Sequence, residues 1–297
     1  MIRFQEVSYT YLSQGPEEVQ SPSLDHISFH IPKGQCVVLC GKSGCGKTTL
    51  LRIINGLACH FYQGRLEGDV SVNGMAPASV SLPELARVVG SVFQNPRTQF
   101  FHTDTTGELA FQLENQNMPR EQMRRRLDQV VSELRLEALM DRSIFALSGG
   151  EKQQIACGSV YASMPRVVVL DEPSSNLDLE SIRKLQGLLE TMKASGVTIL
   201  VSEHRLWYLH GLADRYLLLE NGKLRGDLAP VQMTALDSQA RQAIGLRAAN
   251  RRQLFSLCPQ AQLVEQREPG LELHSLSCRR NRREVLYISH LQIPKGA

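Results

Sequence analysis

Residues 36–50 read CVVLCGKSGCGKTTL. An apolar run typical of a buried strand leads into the pattern G-x-x-x-x-G-K-[ST] at 41–48, and a helical pattern begins at Lys47. In this order, glycines let successive backbone N–H groups face phosphate oxygens, and the helix N-terminus adds partial positive charge. The stretch therefore predicts a phosphate-binding loop between a strand and a helix. Its predicted nucleotide-binding residues are Gly41, Lys42, Ser43, Gly44, Cys45, Gly46, Lys47, Thr48 and Thr49.

Two residues of this loop have predicted roles of their own. Lys47 should reach the β- and γ-phosphates, and the Thr48 hydroxyl should hold Mg2+. The alternative is a glycine-rich structural turn without nucleotide. The strand and helix patterns on either side disfavour that alternative, because they are the context in which this loop binds phosphate.

A second apolar run, Val167–Leu170, ends in two acids, Asp171 and Glu172. Taken alone, such a pair can simply start a loop. Adjacent carboxylates at the end of a buried strand are nevertheless costly unless a cation or a reaction uses them. Beside a phosphate-binding loop, we predict that Asp171 binds Mg2+ through water and that Glu172 polarises the attacking water as general base.

The segment LSGGEKQ occupies residues 147–153. Ser148 and Glu151 have the spacing of a helix capping box. Capping alone would not require Gly149 and Gly150, which leave the start of the helix bare. We therefore predict a second anion-binding site at Ser148, Gly149 and Gly150.

Apolar strands alternate with helical patterns along the chain, which predicts an α/β fold with a parallel sheet covered on both faces. A strand running to Gln94 and a strand over 197–204 are expected, as is a hairpin that turns at Asn221 and Gly222. The run Arg124–Arg126 is interpreted as a solvated helix face. Helices are predicted over about 47–55, 120–140, 148–163 and 179–194.

Composition excludes several classes of protein. The chain has 297 residues, 42% of them hydrophobic, which is enough for a sizeable core. A net charge of +3 gives no reason to expect a polyanion partner. Its seven cysteines are scattered without a Cys-x2-Cys pair, so we interpret them as reduced thiols. Neither a long apolar run nor a signal peptide is present, and a soluble cytosolic chain is expected.

The end of the sequence repeats its beginning. FHIPKGQ at 29–35 is matched by LQIPKGA at 291–297, and IRFQEVSYTY at 2–11 is matched by LELHSLSCRR at 271–280. A duplicated domain is the natural interpretation of a repeat this long. We predict a first domain over 1–228, a connector over 229–270 and the opening β-segment of a second, truncated domain over 271–297.

Together, GKSGCGKT, LSGGEKQ and VVVLDE resemble the ATP-binding cassette (ABC) family over about residues 1–228. The resemblance implies a P-loop NTPase, RecA-like core with an antiparallel β subdomain and an α-helical subdomain. It also implies that ATP and Mg2+ are bound between the phosphate loop of one cassette and the Leu-Ser-Gly-Gly segment of another, in a homo- or heterodimer. By this resemblance Tyr11 stacks on adenine, with Tyr9 as the alternative, Gln94 links Mg2+ to the transport partner, Asp178 reaches across the dimer and His204 contacts the γ-phosphate.

Within this family, VFQNPRTQFF at 92–101 and SEHRLWYL at 202–209 are similar to the ATPases of energy-coupling factor (ECF) transporters. That similarity implies uptake of a vitamin, a vitamin precursor or a metal ion through a membrane T component and a substrate-binding S component. The ATPase would then lie at the cytoplasmic face of the cell membrane. Phe100 and Phe101 would help to receive the T component; the alternative is that they only pack into the helical subdomain.

Two rival functions remain at this stage. A soluble tandem ABC ATPase acting on the ribosome or on nucleic acid is kept open by the basic residues near the C-terminus, although solvated strand edges explain these residues more simply and no nucleic acid is expected. A P-loop kinase of a small molecule is disfavoured by residues 147–153. The basic residues are Arg279, Arg280, Arg282 and Arg283.

Overall fold

The computed structural model describes residues 1–12, 22–246, 269–280 and 283–294. The chain divides into two compact units, Met1–Arg251 and Arg252–Ala297. In chain order the strands are β1 (Ile2–Tyr11), β2 (Leu24–Ile31), β3 (Cys36–Cys40), β4 (Gly64–Val72), β5 (Val89–Val92), β6 (Val167–Asp171), β7 (Thr198–Ser202), β8 (Arg215–Glu220), β9 (Lys223–Leu228), β10 (Pro269–Arg280) and β11 (Arg283–Pro294). The α-helices are α1 (Lys47–Ile54), α2 (Leu57–His60), α3 (Leu82–Ala86), α4 (Thr105–Asn115), α5 (Arg120–Leu134), α6 (Gly149–Ala162), α7 (Leu179–Ala194), α8 (Pro230–Ala235) and α9 (Ser238–Ala243).

A six-stranded sheet forms the centre of the first unit, in the order β5-β6-β7-β3-β8-β9. All neighbouring strands are parallel except β8 and β9, which form the predicted hairpin. The strands β3, β6 and β7 are almost wholly buried and apolar, as expected where helices cover both faces. The predicted α/β fold with a parallel sheet is therefore confirmed.

A three-stranded antiparallel sheet, β2-β1-β4, lies beside this core and corresponds to the antiparallel β subdomain that the family resemblance implies. Ile2 pairs with Ile31 and Phe4 with Phe29, whose ring stacks on that of Phe4. The pairing register then shifts at Glu6, a residue with a left-handed backbone (φ 48°). The shift bends β1 and returns Val7 to the buried face.

Helices α4, α5 and α6 form the helical subdomain, and here two predictions were wrong. The helix predicted over 120–140 ends at Leu134, because Arg135 is left-handed and a 3-10 turn follows at Glu137–Leu139. Leu136 and Leu139 are nevertheless buried, so the apolar period continues past the end of the helix. The other predicted helices begin and end within one or two residues of the observed ends.

Arg126 is buried, which corrects the interpretation of Arg124–Arg126 as a uniformly solvated face. Its guanidinium donates hydrogen bonds to the carbonyl oxygens of Tyr161 (2.7 Å) and Ala162 (3.1 Å) at the C-terminal end of α6. It also lies 4.8 Å from the centre of the Tyr161 ring. The charge is tolerated because it satisfies carbonyls that a helix end leaves without partners.

Residues 229–246, at the start of the predicted connector, contain α8 and α9. Met233 on α8 is fully buried against the main core, and Leu246 is also buried. No helix among the described residues is long and apolar enough to cross a membrane. The six cysteines in the described part of the chain are free thiols.

The second unit contains the hairpin of β10 and β11. Leu271 pairs with Ile293 and Leu273 with Leu291, which repeats the register of Ile2 with Ile31 and Phe4 with Phe29. Ser275 is left-handed (φ 49°) at the position that corresponds to Glu6. The apolar residues that are buried in the first hairpin correspond to exposed ones here, among them Leu271, Leu291 and Ile293.

Candidate nucleotide site

The predicted phosphate-binding loop connects β3 to α1 at the edge where β3, β6 and β7 end. Gly41 and Gly46 are left-handed, with φ of 142° and 106°, and neither has room for a side chain. A Cβ on Gly41 would lie 2.1 Å from the carbonyl oxygen of Leu219, and one on Gly46 would lie 2.6 Å from that of Ser23. Lys42, Ser43 and Gly44, between these glycines, are exposed.

The Lys47 side chain folds back over the loop. Its Nζ donates hydrogen bonds of 2.9 Å to the carbonyl oxygens of both Gly41 and Lys42, and it lies 3.7 Å from Cys45 Sγ. Lys47 is only 4% exposed, so its charge is held at the centre of the loop. The turn of the β8–β9 hairpin supports the loop from behind, since the Gly222 N–H donates to the carbonyl oxygen of Cys45 (3.2 Å).

The residues predicted to hold Mg2+ lie together. Thr48, Gln94 and Asp171 line one cavity of about 370 Å3. Asp171 Oδ1 is buried and has no hydrogen-bond partner among the residues that the structure describes. An unpartnered buried carboxylate oxygen is costly without a cation or a water nearby. These oxygen donors therefore fit Mg2+, which prefers carboxylate, hydroxyl and water ligands.

Glu172 is held between two other predicted catalytic residues. Its Oε2 accepts a hydrogen bond from Gln94 Nε2 (3.1 Å), and its Oε1 lies 3.2 Å from His204 Nε2. Gln94 follows β5, Glu172 follows β6 and His204 follows β7, so the ends of adjacent parallel strands bring the three together. Glu172 is left-handed (φ 43°), a conformation that costs free energy and is concentrated at functional sites.

Glu203 was missed in the sequence, although it lies in the same SEH segment as His204. It is 2% exposed, and both carboxylate oxygens accept two hydrogen bonds. Oε1 accepts from the Ser174 N–H (3.1 Å) and the Tyr208 hydroxyl (3.0 Å), and Oε2 from the N–H groups of His204 (2.7 Å) and Arg205 (3.0 Å). One buried carboxylate thereby fixes the segments that follow both Glu172 and β7. Burial, together with Glu203, raises the pKa of Tyr208 well above its usual value.

Ser148 caps α6 as predicted. Its hydroxyl accepts from the Glu151 N–H (3.2 Å), and Glu151 accepts in return from the Ser148 N–H (2.7 Å) and from Arg142 (2.8 Å). Burial would raise the pKa of Glu151, but these hydrogen bonds outweigh it and lower the pKa. Ser148 and Gly149 are exposed. Within the described ranges, no hydrogen bond or ion pair joins residues 148–150 to the phosphate loop.

Asp178 lies next to this segment and caps α7, accepting a 2.7 Å hydrogen bond from the Ser181 N–H. That backbone hydrogen bond is the main reason why the pKa of Asp178 is lowered. A Cβ on Gly150 would lie 2.0 Å from Ser181 Oγ, so the starts of α6 and α7 touch. The predicted dimer-facing residues Ser148, Gly149, Gly150 and Asp178 thus lie close together, and their role in a dimer stays a prediction.

Burial separates the two candidate adenine-stacking residues. Tyr9 is 1% exposed and its hydroxyl donates to the carbonyl oxygen of Ala58 (2.8 Å), so its ring has no open face for a ligand. Tyr11 is partly exposed at the end of β1, with its hydroxyl 3.4 Å from Thr49 Oγ1. Arg52, which stacks 4.4 Å above the ring of Tyr62, also reaches the Tyr11 hydroxyl at 3.3 Å. Of the two tyrosines, only Tyr11 remains a candidate.

The two phenylalanines after Gln94 behave differently. Phe100 packs against the core, whereas Phe101 is 74% exposed and stacks on Phe111 at 4.6 Å. Buried Glu108 shapes this loop by accepting the N–H groups of Phe101 (2.9 Å) and His102 (3.0 Å). An apolar groove of about 280 Å3 runs between the core and the helical subdomain, and we call it the subdomain groove. Its lining includes Leu57, Leu82, Phe93, Phe101, Phe111 and Val160.

The parallel sheet, the glycine loop and the acid-ended strand place the chain in the class of P-loop ATPases with a RecA-like core. Residues 24–175 match the family model described as ABC transporter, and the chain belongs to that family. The class of ligand follows, since ABC ATPase domains bind ATP with Mg2+.

Curated relatives agree with this assignment. A putative ABC transporter ATP-binding protein of Treponema denticola is 52% identical over 228 residues, which is 77% of this chain and 46% of the relative. Another match in that organism is 40% identical over 299 residues, covering 100% of this chain and 60% of the relative. A putative ABC transporter ATP-binding protein of Methanosarcina mazei is 36% identical over 83% of this chain and 41% of the relative. The chain thus spans about half the length of the curated relatives it matches.

Solved structures share the fold. CbiO1 from Clostridium perfringens, described as part of the ABC transporter complex cbiONQ, aligns with a TM-score of 0.69 at 23% identity over 86% of this chain and 98% of that one. The ATP-binding cassette MJ0796, solved as a dimer bound to ADP and Pi, aligns with a TM-score of 0.66 at 24% identity over 77% of this chain and 99% of that one. At this level of identity the two alignments establish the fold.

Proposed function

We propose that this chain is the ATP-hydrolysing subunit of an energy-coupling factor-type transporter that takes up a vitamin, a vitamin precursor or a metal ion. The observation that carries the ATPase part is the position of Glu172 between Gln94 and His204. The transporter type is supported by VFQNPRTQFF, SEHRLWYL and the fold shared with the cbiONQ ATPase. The protein would lie peripherally at the cytoplasmic face of the membrane.

In this proposal Glu172 accepts a proton from the water that attacks the γ-phosphate, while His204 orients the γ-phosphate beside it. Lys47 and the loop N–H groups bind the β- and γ-phosphates and stabilise the charge that develops there. Thr48, Gln94 and Asp171 would hold Mg2+, which neutralises phosphate charge when bound. Gln94 donates a hydrogen bond to Glu172, and its neighbour Phe93 lines the subdomain groove. A change at the catalytic base can therefore be transmitted to that groove.

The subdomain groove is the proposed seat of the T component. It is apolar, and the largely exposed Phe101 ring lies at its edge on a loop fixed by buried Glu108. An apolar helix of a membrane subunit would bury this ring. The S component would then select the substrate, which is not expected to touch the ATPase.

A second cassette completes the proposed site, because Ser148 and Gly149 face outward from the unit that contains the phosphate loop. We propose that residues 271–297 begin such a cassette in tandem with the first, and that residues 229–270 connect them, the first part of this connector, 229–246, being packed on the first unit. Support comes from the repeated pairing register of β10 and β11 and from the left-handed residue at matching positions, Glu6 and Ser275.

The test of the ATPase proposal is the change Glu172→Gln. ATP binding should persist while hydrolysis falls by about 10^2-fold or more, because a positioned general base supplies that much. Glu180→Gln is the matched control, since Glu180 is exposed and its carboxylate pairs with Lys184 at 2.9 Å. Unchanged turnover in Glu172→Gln would remove Glu172 from its proposed role.

The test of the transporter proposal is capture of membrane proteins with the full chain. We expect a hydrophobic integral membrane protein to co-purify, and Phe101→Ala to weaken its retention. Val231→Ala, a change at another exposed apolar residue on α8, should not. Retention of RNA or DNA that is lost at high salt, without a membrane protein, would instead support the rival soluble function.

A further inference from the structure

Three side chains with metal-binding atoms converge on one face of the second-unit hairpin. His274 on β10 and His290 on β11 are direct cross-strand partners, and their rings lie 4.7 Å apart. Glu272 lies two residues before His274, so it projects on the same face. Its Oε1 is 3.0 Å from His290 Nε2 and 3.3 Å from His274 Nε2.

These distances suit a shared metal ion. In a tetrahedral site with metal–ligand bonds of about 2.0–2.1 Å, two ligand atoms lie about 3.3 Å apart. The observed separations of 3.0 and 3.3 Å between Glu272 and the two imidazoles are close to that value. All three ligand atoms lie within 4.8 Å of one another, so small rotations of exposed side chains would complete the geometry.

The first hairpin shows which face this is. The positions that correspond to Glu272, His274 and His290 are Arg3, Gln5 and Ser28, all exposed. Their apolar neighbours Ile2, Phe4 and Phe29 point the other way into the core.

The site therefore lies on the outward face of its sheet. It would stay open if the opposite, apolar face were covered as it is in the first unit. The equivalent positions of the first hairpin, Arg3, Gln5 and Ser28, do not form such a set of ligands, so this cluster is not a remnant of the repeated nucleotide machinery.

We propose that Glu272, His274 and His290 bind a divalent transition-metal ion of borderline softness, such as Zn2+. Two imidazole nitrogens and one carboxylate oxygen suit this class of ion, whereas Mg2+ and Ca2+ prefer all-oxygen sites. Three protein ligands leave at least one position for water or another ligand. The bound ion ties β10 to β11, because its ligands come from both strands. This site is independent of the nucleotide site and of the transporter proposal.

The test uses the full chain without a purification tag and without nucleotide, titrated with ZnCl2 by calorimetry. We expect stoichiometric binding that weakens by more than about tenfold in His274→Ala and in His290→Ala, since even changes around a metal ligand cost that much. Mg2+ at the same concentration should not compete. His26→Asn and Cys278→Ser are the controls. His26 is an exposed histidine of the first hairpin that pairs with Asp25, and Cys278 is an exposed thiol on β10, in the same hairpin as the proposed metal site.

A second measurement guards against loss of the hairpin itself. In NMR spectra, Zn2+ should shift the ring signals of His274 and His290 and leave those of His26 unchanged. Glu272→Gln, which keeps a hydrogen-bond acceptor, should weaken Zn2+ binding while preserving the strand signals of β10 and β11. Equal Zn2+ affinity in the wild type and in the His274→Ala/His290→Ala double variant would overturn the proposal. So would an equal loss of affinity in Cys278→Ser.

Discussion

Glu203 shows how much one side chain can organise at the residue scale. Its four hydrogen bonds fix the backbone at His204 and Arg205 and the loop that follows Glu172, and none of them involves the side chains of Glu172 or His204. All four groups that contact its carboxylate oxygens are hydrogen-bond donors, an arrangement that a side chain with its own NH2 group could not accept in full. We therefore assign it a positioning role.

We predict that Glu203→Gln lowers the rate of ATP hydrolysis more than it lowers ATP affinity. In the variant, the NH2 group of the amide replaces one carboxylate oxygen and cannot accept the two hydrogen bonds which that oxygen accepts. The free energy of unfolding should therefore fall by about 1–3 kcal/mol. Steady-state kinetics should show a reduced kcat with KM little changed. Glu190→Gln, at an exposed glutamate that accepts a hydrogen bond from Gln186, is the control. A variant with normal kcat and reduced stability alone would show that Glu203 is only structural.

Asp171 and Glu172 could be predicted from an apolar strand that ends in two acids, whereas Gln94 and His204 came from the resemblance to the ABC family. In the structure, β5 ends at Val92 and β7 at Ser202, earlier than predicted, so Gln94, Glu172 and His204 all follow adjacent strands and Glu172 contacts the other two. Glu203 gave no such signal, because its partners Ser174 and Tyr208 are set by tertiary packing rather than by spacing. Burial likewise decided between Tyr9 and Tyr11, which lie two residues apart on one strand and look alike in sequence.

At the scale of elements, apolar periodicity predicted the presence of the helices more accurately than the residues at which they end. The apolar pattern of α5 continues to Leu136 and Leu139, whose side chains are buried although they lie in and next to a 3-10 turn. Periodicity alone therefore could not show that the helix ends at Arg135. Charge patterning failed at Arg126 for a related reason. An arginine on the apolar side of a helix is favourable when it meets the carbonyl end of another helix, and that neighbour cannot be seen in local sequence.

We predict that Arg126→Ala destabilises the protein by about 1.5–3 kcal/mol, because it removes charged hydrogen bonds to two buried carbonyls. Arg125→Ala is the matched control. Arg125 is exposed and forms a surface ion pair with Glu121, so the expected change is below about 0.5 kcal/mol. Urea denaturation of both variants measures the difference. Equal midpoints would mean that Arg126 does not stabilise the junction of α5 and α6.

At the scale of the whole molecule, the proposed site needs a second cassette. We predict that the Glu172→Gln variant, given ATP and Mg2+, associates through its Ser148 face, and that Ser148→Arg in the same background prevents this. Sedimentation velocity would measure it, with Ser132→Arg on α5 as the control at another exposed serine. Loss of the cap alone costs about 1 kcal/mol, so melting curves separate unfolding from loss of association. A Glu172→Gln protein that stays monomeric and binds no other cassette would refute the sandwich.

The repeat could be recognised from sequence, and its two copies share a strand register that sequence alone did not specify. The repeat could not predict the cluster of possible metal ligands on the outward face of the second copy, because Glu272, His274 and His290 stand there in place of Arg3, Gln5 and Ser28. Residues that face water are free to differ between copies, since they carry no packing constraint.

Helix α6 has a mechanical consequence. Its first residues follow Ser148 at the proposed dimer face, and Val160, in its last turn, lines the subdomain groove beside Phe101. At about 1.5 Å per residue, the 14 residues of α6 span about 21 Å as a single rod. Arg126 of α5 donates hydrogen bonds to the carbonyl oxygens at the C-terminal end of α6 and so fixes that end to α5. If a membrane helix binds the subdomain groove and a neighbouring cassette faces Ser148, as proposed above, a displacement at one end of α6 would be transmitted to the neighbour's nucleotide without passing through any loop. Its size would be limited by how far one rigid helix can slide.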